Sequence, residues 1–470
     1  RVVCRHGMKP GDPEPPAFAE TLRCARDGRW IVVDVKCPTE IGARGGSYTP
    51  YSGGAMHIVV TGQLSNAGII RANGYDGWAS GSSEVGGGGS VWISAKRMIG
   101  GGPIRANGQD DRRADGIGGG GRVALYLTGA GETFADYTGK IEAYGGHNKN
   151  CTTYYGAGTV YLHTADEDDE GGTLIINGGA TNGKICALTE FTTDVTETSY
   201  DTVIITNGAS VKLYKNTTIT VRKDWLNYGT YAAEVADAEN AAGTVVFTNA
   251  AATSHIIGKN PFAAFTCVTP GKRFAFGTGA NDLFSIVAGG KLLLRGEDAD
   301  GKRIELGPDT ADAKWTISIA DGASADMEGL SVTWSDASAS PTKPTAKNSV
   351  DSGDNVDWTF VNIKVGEVIT WAGAVSASWN QPGNWQTEEG KARVPAETDV
   401  IVIPGGLTTY PQLGESVKMN TVRVESGAQL DLATYDLTLT GDLTVAGRLV
   451  AQKVERIEVE GDISFAADSF

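Results

Sequence analysis

One phrase is written three times in the first third of the chain, and it narrows what the chain can fold into more than any other feature. Ile70-Arg71-Ala72-Asn73-Gly74, Ile104-Arg105-Ala106-Asn107-Gly108 and Ile141-Glu142-Ala143-Tyr144-Gly145 each lead through a polar loop and a glycine cluster into a second apolar segment. Those segments read Gly86-Gly87-Gly88-Gly89-Ser90-Val91-Trp92-Ile93, Gly118-Gly119-Gly120-Gly121-Arg122-Val123-Ala124-Leu125 and Gly156-Ala157-Gly158-Thr159-Val160-Tyr161-Leu162. From Ile70 the first phrase returns after 34 and then 37 residues, and from Val91 the second returns after 32 and then 37. A unit of this size cannot bury its own apolar side chains, so such units fold by stacking, each covering the next. The expected fold is all-β, a parallel β-helix or β-solenoid.

Composition agrees. Glycine accounts for 64 of 470 residues, about twice the usual share of ~7%, without the strict triplet of collagen. It suits corners that need positive φ or close backbone approach. Alternation in Met56-His57-Ile58-Val59-Val60 and Ser90-Val91-Trp92-Ile93-Ser94 predicts strands with one buried face, and helix-period patterns are nearly absent. The formal charge of −16 repels phosphate, which argues against nucleic acid and anionic membranes as partners. The acidic run 166–170 reads as a solvated loop, with a Ca²⁺ site as the sharper alternative. No apolar stretch approaches the ~18 residues of a spanning helix. No signal peptide is evident, and residue 1 is Arg.

Residues 1–40 stand apart, with a Pro-rich stretch and three of the six cysteines. Val3-Cys4-Arg5-His6-Gly7, Leu22-Arg23-Cys24-Ala25-Arg26-Asp27-Gly28-Arg29-Trp30 and Lys36-Cys37-Pro38 resemble the last three cysteines of a sushi (complement-control) module. The resemblance implies pairing of Cys4 with Cys37 and of Cys24 with a cysteine outside this sequence; Cys4 with Cys24 is the alternative. A small disulfide-containing segment points to an oxidising compartment. Because the motif starts in its middle, the sequence is expected to be a piece of a longer protein.

Residues 41–170 hold the glycine-rich repeats, which resemble segments of very large secreted bacterial and protist surface proteins. Residues 171–365 follow with short, turn-punctuated strands. Gly243-Thr244-Val245-Val246-Phe247, His255-Ile256-Ile257-Gly258, Thr269-Pro270-Gly271-Lys272, Lys291-Leu292-Leu293-Leu294-Arg295-Gly296 and Trp315-Thr316-Ile317-Ser318 come in an order that resembles a right-handed β-helix segment of giant bacterial adhesin-like cell-surface proteins. A linker is expected at 336–356, rich in Ser, Ala, Pro and Asp. Residues 366–470 open on Ile369-Thr370-Trp371-Ala372-Gly373. With Ser378-Trp379-Asn380, Gly383-Asn384-Trp385, Val394-Pro395 and Asp399-Val400-Ile401-Val402-Ile403-Pro404, they resemble the start of a second surface β-helix module, whose C-terminus looks cut.

Few residues suggest chemistry. Trp78, Tyr154 and Tyr155 occupy equivalent loops and are candidates for an exposed ridge on which sugar rings would stack; Trp92, in a strand, reads as core. Asp351, Asp354, Asn355 and Asp357 are a candidate Ca²⁺ loop, against an Asx-rich turn before a buried Trp358. Cys151 and Cys186, 35 residues apart, match one repeat and are candidates for a disulfide stapling adjacent turns. With His147 and His163 they also make a loosely spaced zinc set. Cys267 reads as a buried small hydrophobe. Asp110-Asp111 with Arg112-Arg113 is the nearest approach to the carboxylate-and-base sets of polysaccharide hydrolases and lyases, and it reads as a solvated loop. No catalytic residue is assigned, and no cofactor beyond candidate Ca²⁺ is called for. The expected protein is an extracellular or cell-surface structural or adhesive fibre protein. Its expected partners are copies of itself or other surface proteins, with glycans as further candidates. A polysaccharide-active enzyme or a carbohydrate-binding protein on the same scaffold is the alternative.

Overall fold

A computed structural model describes residues 2–4, 30–31, 35–39, 41–42, 52–74, 86–109, 118–147, 155–179, 188–192, 195, 198–232, 243–361 and 366–466. The protein is all-β with long, mostly parallel sheets, an arrangement compatible with a β-helix. It divides into two compact units, 1–361 and 362–470.

In the first unit a 13-stranded sheet takes its strands in chain order, beginning Val2–Cys4, Ala55–Ser65, Ser90–Ile99, Arg122–Leu127, Thr159–Thr164, Thr173–Asn177 and Thr202–Thr206. The pattern in the sequence sets the register: Val91 pairs with Val123 and Val123 with Val160, so equivalent residues stack. Opposite these strands, Ile70–Arg71, Ile104–Arg105 and Ile141–Glu142 pair in parallel as a second, three-stranded sheet. Val91, Ile93, Ile104, Ala106, Val123 and Leu125 fill the space between, all fully buried.

The glycine clusters join the two sheets at one edge. Gly89, Gly121 and Gly158 donate their backbone N–H groups to the carbonyls of Ala72, Ala106 and Ala143, at 2.7, 2.7 and 2.8 Å. Gly88 and Gly120 also donate to Gly119 and Gly156 on the next turn, at 2.9 and 3.0 Å. A Cβ built on Gly88 or Gly120 would collide with the Ala106 or Ala143 carbonyl. Close backbone approach, rather than positive φ, is what these glycines supply.

The winding changes at the acidic run. Thr159–Thr164 and Thr173–Asn177 pair antiparallel, with 166–170 within the connection, whereas the strands on either side are parallel. Val160 and its cross-strand partner Ile175 face the core of the glycine-rich repeats. Tyr161 and its partner Leu174 face the other way, into the core that serves the rest of the unit. The core has changed sides of one continuous sheet. Crossovers between parallel strands keep one hand. If strand direction reverses while strands are still added in the same order, that hand is kept only by passing the connections over the opposite face.

The connection is held from several sides. Arg222 pairs with Asp168 and reaches Asp201 at 3.5 Å, Lys223 pairs with Asp201 at 2.8 Å, and Asp166 accepts from the Gly131 N–H at 3.1 Å. Lys36 Nζ donates to the Asp169 carbonyl at 2.7 Å, and the Lys36 carbonyl accepts from the Tyr126 hydroxyl at 2.9 Å. Residues 35–39 thus cover part of an aromatic row on the second face. In this row His57 stacks on Trp92 at 3.9 Å, and Trp92, Tyr126, Tyr161 and Tyr200 follow at 5.7–6.4 Å. Trp92, expected in the core, is half-buried in this row. Strands from 1–40 enter two sheets: Val2–Cys4 pairs with Ala55–Ser65, and Trp30–Ile31 with Leu188–Phe191.

Beyond residue 198 the large sheet faces a 10-stranded one running from Ser199–Tyr200 to Thr359–Val361. Their shared core is layered with aromatics, including Trp225, Phe247, Phe262, Phe265, Phe276 and Trp315. The expected linker at 336–356 is a correction: Thr345–Lys347 and Val350–Asp351 are strands of the two sheets, and Ala337 and Ala346 are fully buried. Its small polar residues suit the short turns between these strands. Lys272 is fully buried in this unit, its Nζ donating to the carbonyls of Arg222, Asn249 and Ala252 at 3.3, 3.1 and 2.9 Å. Burial pulls its pKa down to about 8.

The second unit stacks turns of about 20 residues, pairing Val422 with Leu443 and Leu443 with Ile463. Trp371, Trp379 and Trp385 are buried together. Asn384 organises the turn between them: its Oδ1 accepts from the N–H groups of Val375 and Ser376, and its Nδ2 donates to Ser376 Oγ and the Ser378 carbonyl. Arg393 ties Asp399 to Glu367 at 2.6 and 2.9 Å. These contacts account for the tryptophan-rich opening phrase.

Two outcomes are expected. Gly120→Ala removes about 3 kcal/mol of stability through backbone overpacking and a distorted hydrogen bond. Gly62→Ala, with nothing within 4 Å of the added methyl, stays within about 1 kcal/mol; denaturant titration of both checks this. For Lys272, the folded pKa lies below the unfolded value, so the unfolded chain binds more protons between about pH 8 and 10.5. This group therefore adds stability as pH rises through that window, by up to about 1.4 kcal/mol per unit. The difference between wild type and Lys272→Met should show that slope.

Candidate functional site

Alternation along the repeated phrase assigns the site. In Ile104-Arg105-Ala106-Asn107, Ile104 and Ala106 are fully buried while Arg105 and Asn107 are half-buried on the outer face. Stacking turns these outward positions into columns: Arg71 over Arg105 over Glu142, and Asn73 over Asn107 over Tyr144. The asparagines form a ladder. Asn73 Oδ1 accepts from the Asn107 N–H at 3.0 Å, and Asn107 Oδ1 accepts from the Tyr144 N–H at 2.8 Å.

The ladder ends at Tyr144, and a cavity of about 340 Å³ opens there. Asn73, Asn107, Gln109, Tyr144 and His147 line it together with Gly108, Gly145, Gly178 and Gly179. Gly179, at φ +64°, lies so close to the Tyr144 ring that a Cβ would stand 2.6 Å from it; a larger residue would fill the space. Glu142 is nearly buried beside the site, taking a 2.7 Å hydrogen bond from Arg105 Nε and a 3.3 Å one from Asn107 Nδ2. Burial and the Glu142 carboxylate push the Tyr144 phenol above its ordinary value, so it stays a protonated hydroxyl. The site offers uncharged donors and acceptors with a compensated ion pair behind them.

The chain leaves and returns at this edge in every repeat. Gln109, His147 and Gly179, and Gly74 beside Asn73, each immediately precede a segment outside the described residues, at 110–117, 148–154, 180–187 and 75–85. Backbone bonds tie these points together: Gln109 donates to the Gly86 carbonyl and Gly146 to Gly118 across neighbouring repeats, and Tyr155 donates to Gly146 across 147–154, at 3.2, 2.7 and 3.2 Å.

Trp78, Tyr154, Cys151, Cys186 and 110–113 lie on those segments, outside the described residues, as does Cys24. Tyr155 is half-buried at the base of its loop. Cys4 is described only as backbone in the first strand, and Cys37 is exposed. His163 stands away from the cavity at the hairpin, 3.0 Å from the Asp168 carbonyl. Cys267 is fully buried, and burial pushes its thiol up.

The Asp351 loop is built as an Asx turn. Asp351 Oδ1 accepts from the Gly353 N–H at 3.0 Å and Asn355 Nδ2 at 2.6 Å, while Asn355 Oδ1 accepts from the Ser335 N–H at 3.0 Å. Asp357 pairs with Lys343 at 2.8 Å, and the Asp354 carbonyl accepts from Lys314 at 2.8 Å. Trp358 is half-buried and donates to Ser335 Oγ at 2.9 Å. Among the described residues no three His, Cys, Asp or Glu side chains are grouped to hold a metal ion, and none of the helices is long and apolar enough to cross a membrane.

The sequence reading passed over Asn73, Asn107, Gln109 and Tyr144. Its missed signal was the outward position of Asn in each repeat and its replacement by Tyr in the third. No family model, curated protein or solved structure matches the chain.

Two lysines at the Asp351 loop oppose a cation, so millimolar Ca²⁺ is expected to leave the melting temperature unchanged within about 1 °C. A saturable rise lost in Asp351→Asn would contradict this.

Proposed function

We propose that the chain is part of an extracellular or cell-surface scaffold, a right-handed β-solenoid whose work is structural and adhesive. The observation that carries this reading is the continuity of the large sheet. Thirteen strands are added in chain order, which at ~4.8 Å per strand extends about 58 Å. Each repeat returns to the same edge before leaving it again, and the parallel sheet makes a stiff support behind that edge. The net charge of −16 keeps such a surface soluble and away from nucleic acids. Self-association or contact with other surface proteins fits a stack whose edges are strands.

Carbohydrate binding is the second reading, favoured by the polar cavity at the end of the asparagine ladder. The carboxylate next to that cavity, Glu142, is held by Arg105 and Asn107, which suits a binding surface better than proton transfer.

Antibodies raised against the chain should label intact, unpermeabilised source cells or the material around them in immunogold electron microscopy. Label confined to the interior of permeabilised cells would overturn the proposal.

A further inference from the structure

The cavity beside Tyr144 has a specific chemical character. Its volume of about 340 Å³ lies at the small end of ligand sites, which suits a short segment of a larger molecule. Among the described residues that line it there is no lysine, arginine, aspartate or glutamate. Phosphates and uronates therefore meet no lysine or arginine among these described residues, and an apolar ligand meets amides. Glu142, beside the cavity, already has its partner in Arg105.

Two lining groups are not used by the fold. Asn73 spends its Oδ1 on the Asn107 N–H, and its Nδ2 has no partner among the described residues. The Tyr144 hydroxyl likewise has none. One is a pure donor; the other donates and accepts. The backbone forms much of the remaining wall, through Gly108, Gly145, Gly178 and Gly179. A ligand matching this lining is neutral, carries several hydroxyl groups that both donate and accept, and has a compact ring. We propose that this cavity binds a neutral saccharide unit, gripped by Asn73 Nδ2 and the Tyr144 hydroxyl.

The inference deepens the adhesive reading above and rests on it. The asparagine ladder gives the site its rigidity: Asn73 is fixed by the turn above Tyr144, so its free amide is aimed without further ordering cost. Repetition made the scaffold, and the break in repetition at Tyr144 made the site.

The test uses the intact chain and free oligosaccharides: cellotetraose, maltotetraose and chitotetraose, with trigalacturonate as the charged comparator. Saturation-transfer NMR identifies binders, and calorimetry gives affinities. Asn73→Asp keeps the acceptor for the Asn107 N–H and replaces the donor with a charged acceptor, so Asn73→Ser, which shortens the side chain and withdraws the amide without adding charge, is measured beside it; Tyr144→Phe removes only the hydroxyl. Asn73→Asp and Tyr144→Phe should unfold at the wild-type temperature, and Thr444→Ala in the second unit serves as the control. The expected result is binding of at least one neutral oligosaccharide, weakened about three- to tenfold by each site variant, the scale of one hydrogen bond, and unchanged in the control. Binding of trigalacturonate alone, binding indifferent to the site variants, or no binding of the neutral probes would overturn the proposal. Surface labelling would still stand in each of those cases, so failure of the saccharide site is separable from failure of the scaffold reading.

Discussion

The structure depends on one interaction, the parallel main-chain hydrogen-bond ladder that sets each residue beside its equivalent in the next repeat. It sets Val91 beside Val123 and Val123 beside Val160, and at a shorter period in the second unit Val422 beside Leu443. Everything else follows from keeping that register. Apolar side chains stack on apolar side chains, asparagines on asparagines, and glycines on glycines. A slip of one residue would turn Val91, Ile93 and Ala95 outward together, so the apolar stack and the hydrogen-bond ladder enforce each other.

The glycine clusters show how the register is closed within a turn. The Gly121 N–H reaches the Ala106 carbonyl at 2.7 Å, and a Cβ on Gly121 would collide with the Gly89 carbonyl of the preceding repeat. A glycine-rich segment that would otherwise be disordered is thereby pinned on both sides, within its own turn and to the next. Backbone bonds of the same kind bring together the residues that flank 75–85, 110–117 and 148–154, so those stretches can differ in length and sequence without disturbing the register.

Much of the architecture was legible in the sequence, for a physical reason: a stack writes its register as a repeat, and repeats are visible without coordinates. The strands around Val91, Val123, Leu293 and Val422 stand where alternation places them. The antiparallel joint was not legible, because Thr159–Thr164 continues the pattern of its predecessors and Leu174-Ile175-Ile176 is apolar on both faces. Nothing local says that the core has moved to the other side. The stretch 336–356 looked like a linker because composition alone separates poorly between a tether and tight polar turns. The cavity was hidden for a related reason. Asn before Gly is also the residue type of an ordinary turn, so nothing local marks Asn73 and Asn107, whereas stacking uses their side chains as a ladder and leaves one amide over. At the acidic turn, a run of Asp and Asn does not announce its partners, which are Lys343 for Asp357, the Gly353 N–H for Asp351 and the Ser335 N–H for Asn355.

Hydrogen–deuterium exchange across residues 86–125 tests the central claim most directly. If the glycine clusters are bonded on both sides, the amides of Gly88, Gly89, Gly120 and Gly121 exchange as slowly as those of Val91 and Val123, at rates set by opening of the whole unit. Exchange of the glycine amides at the rate of an open loop, beside protected strands, would contradict the account.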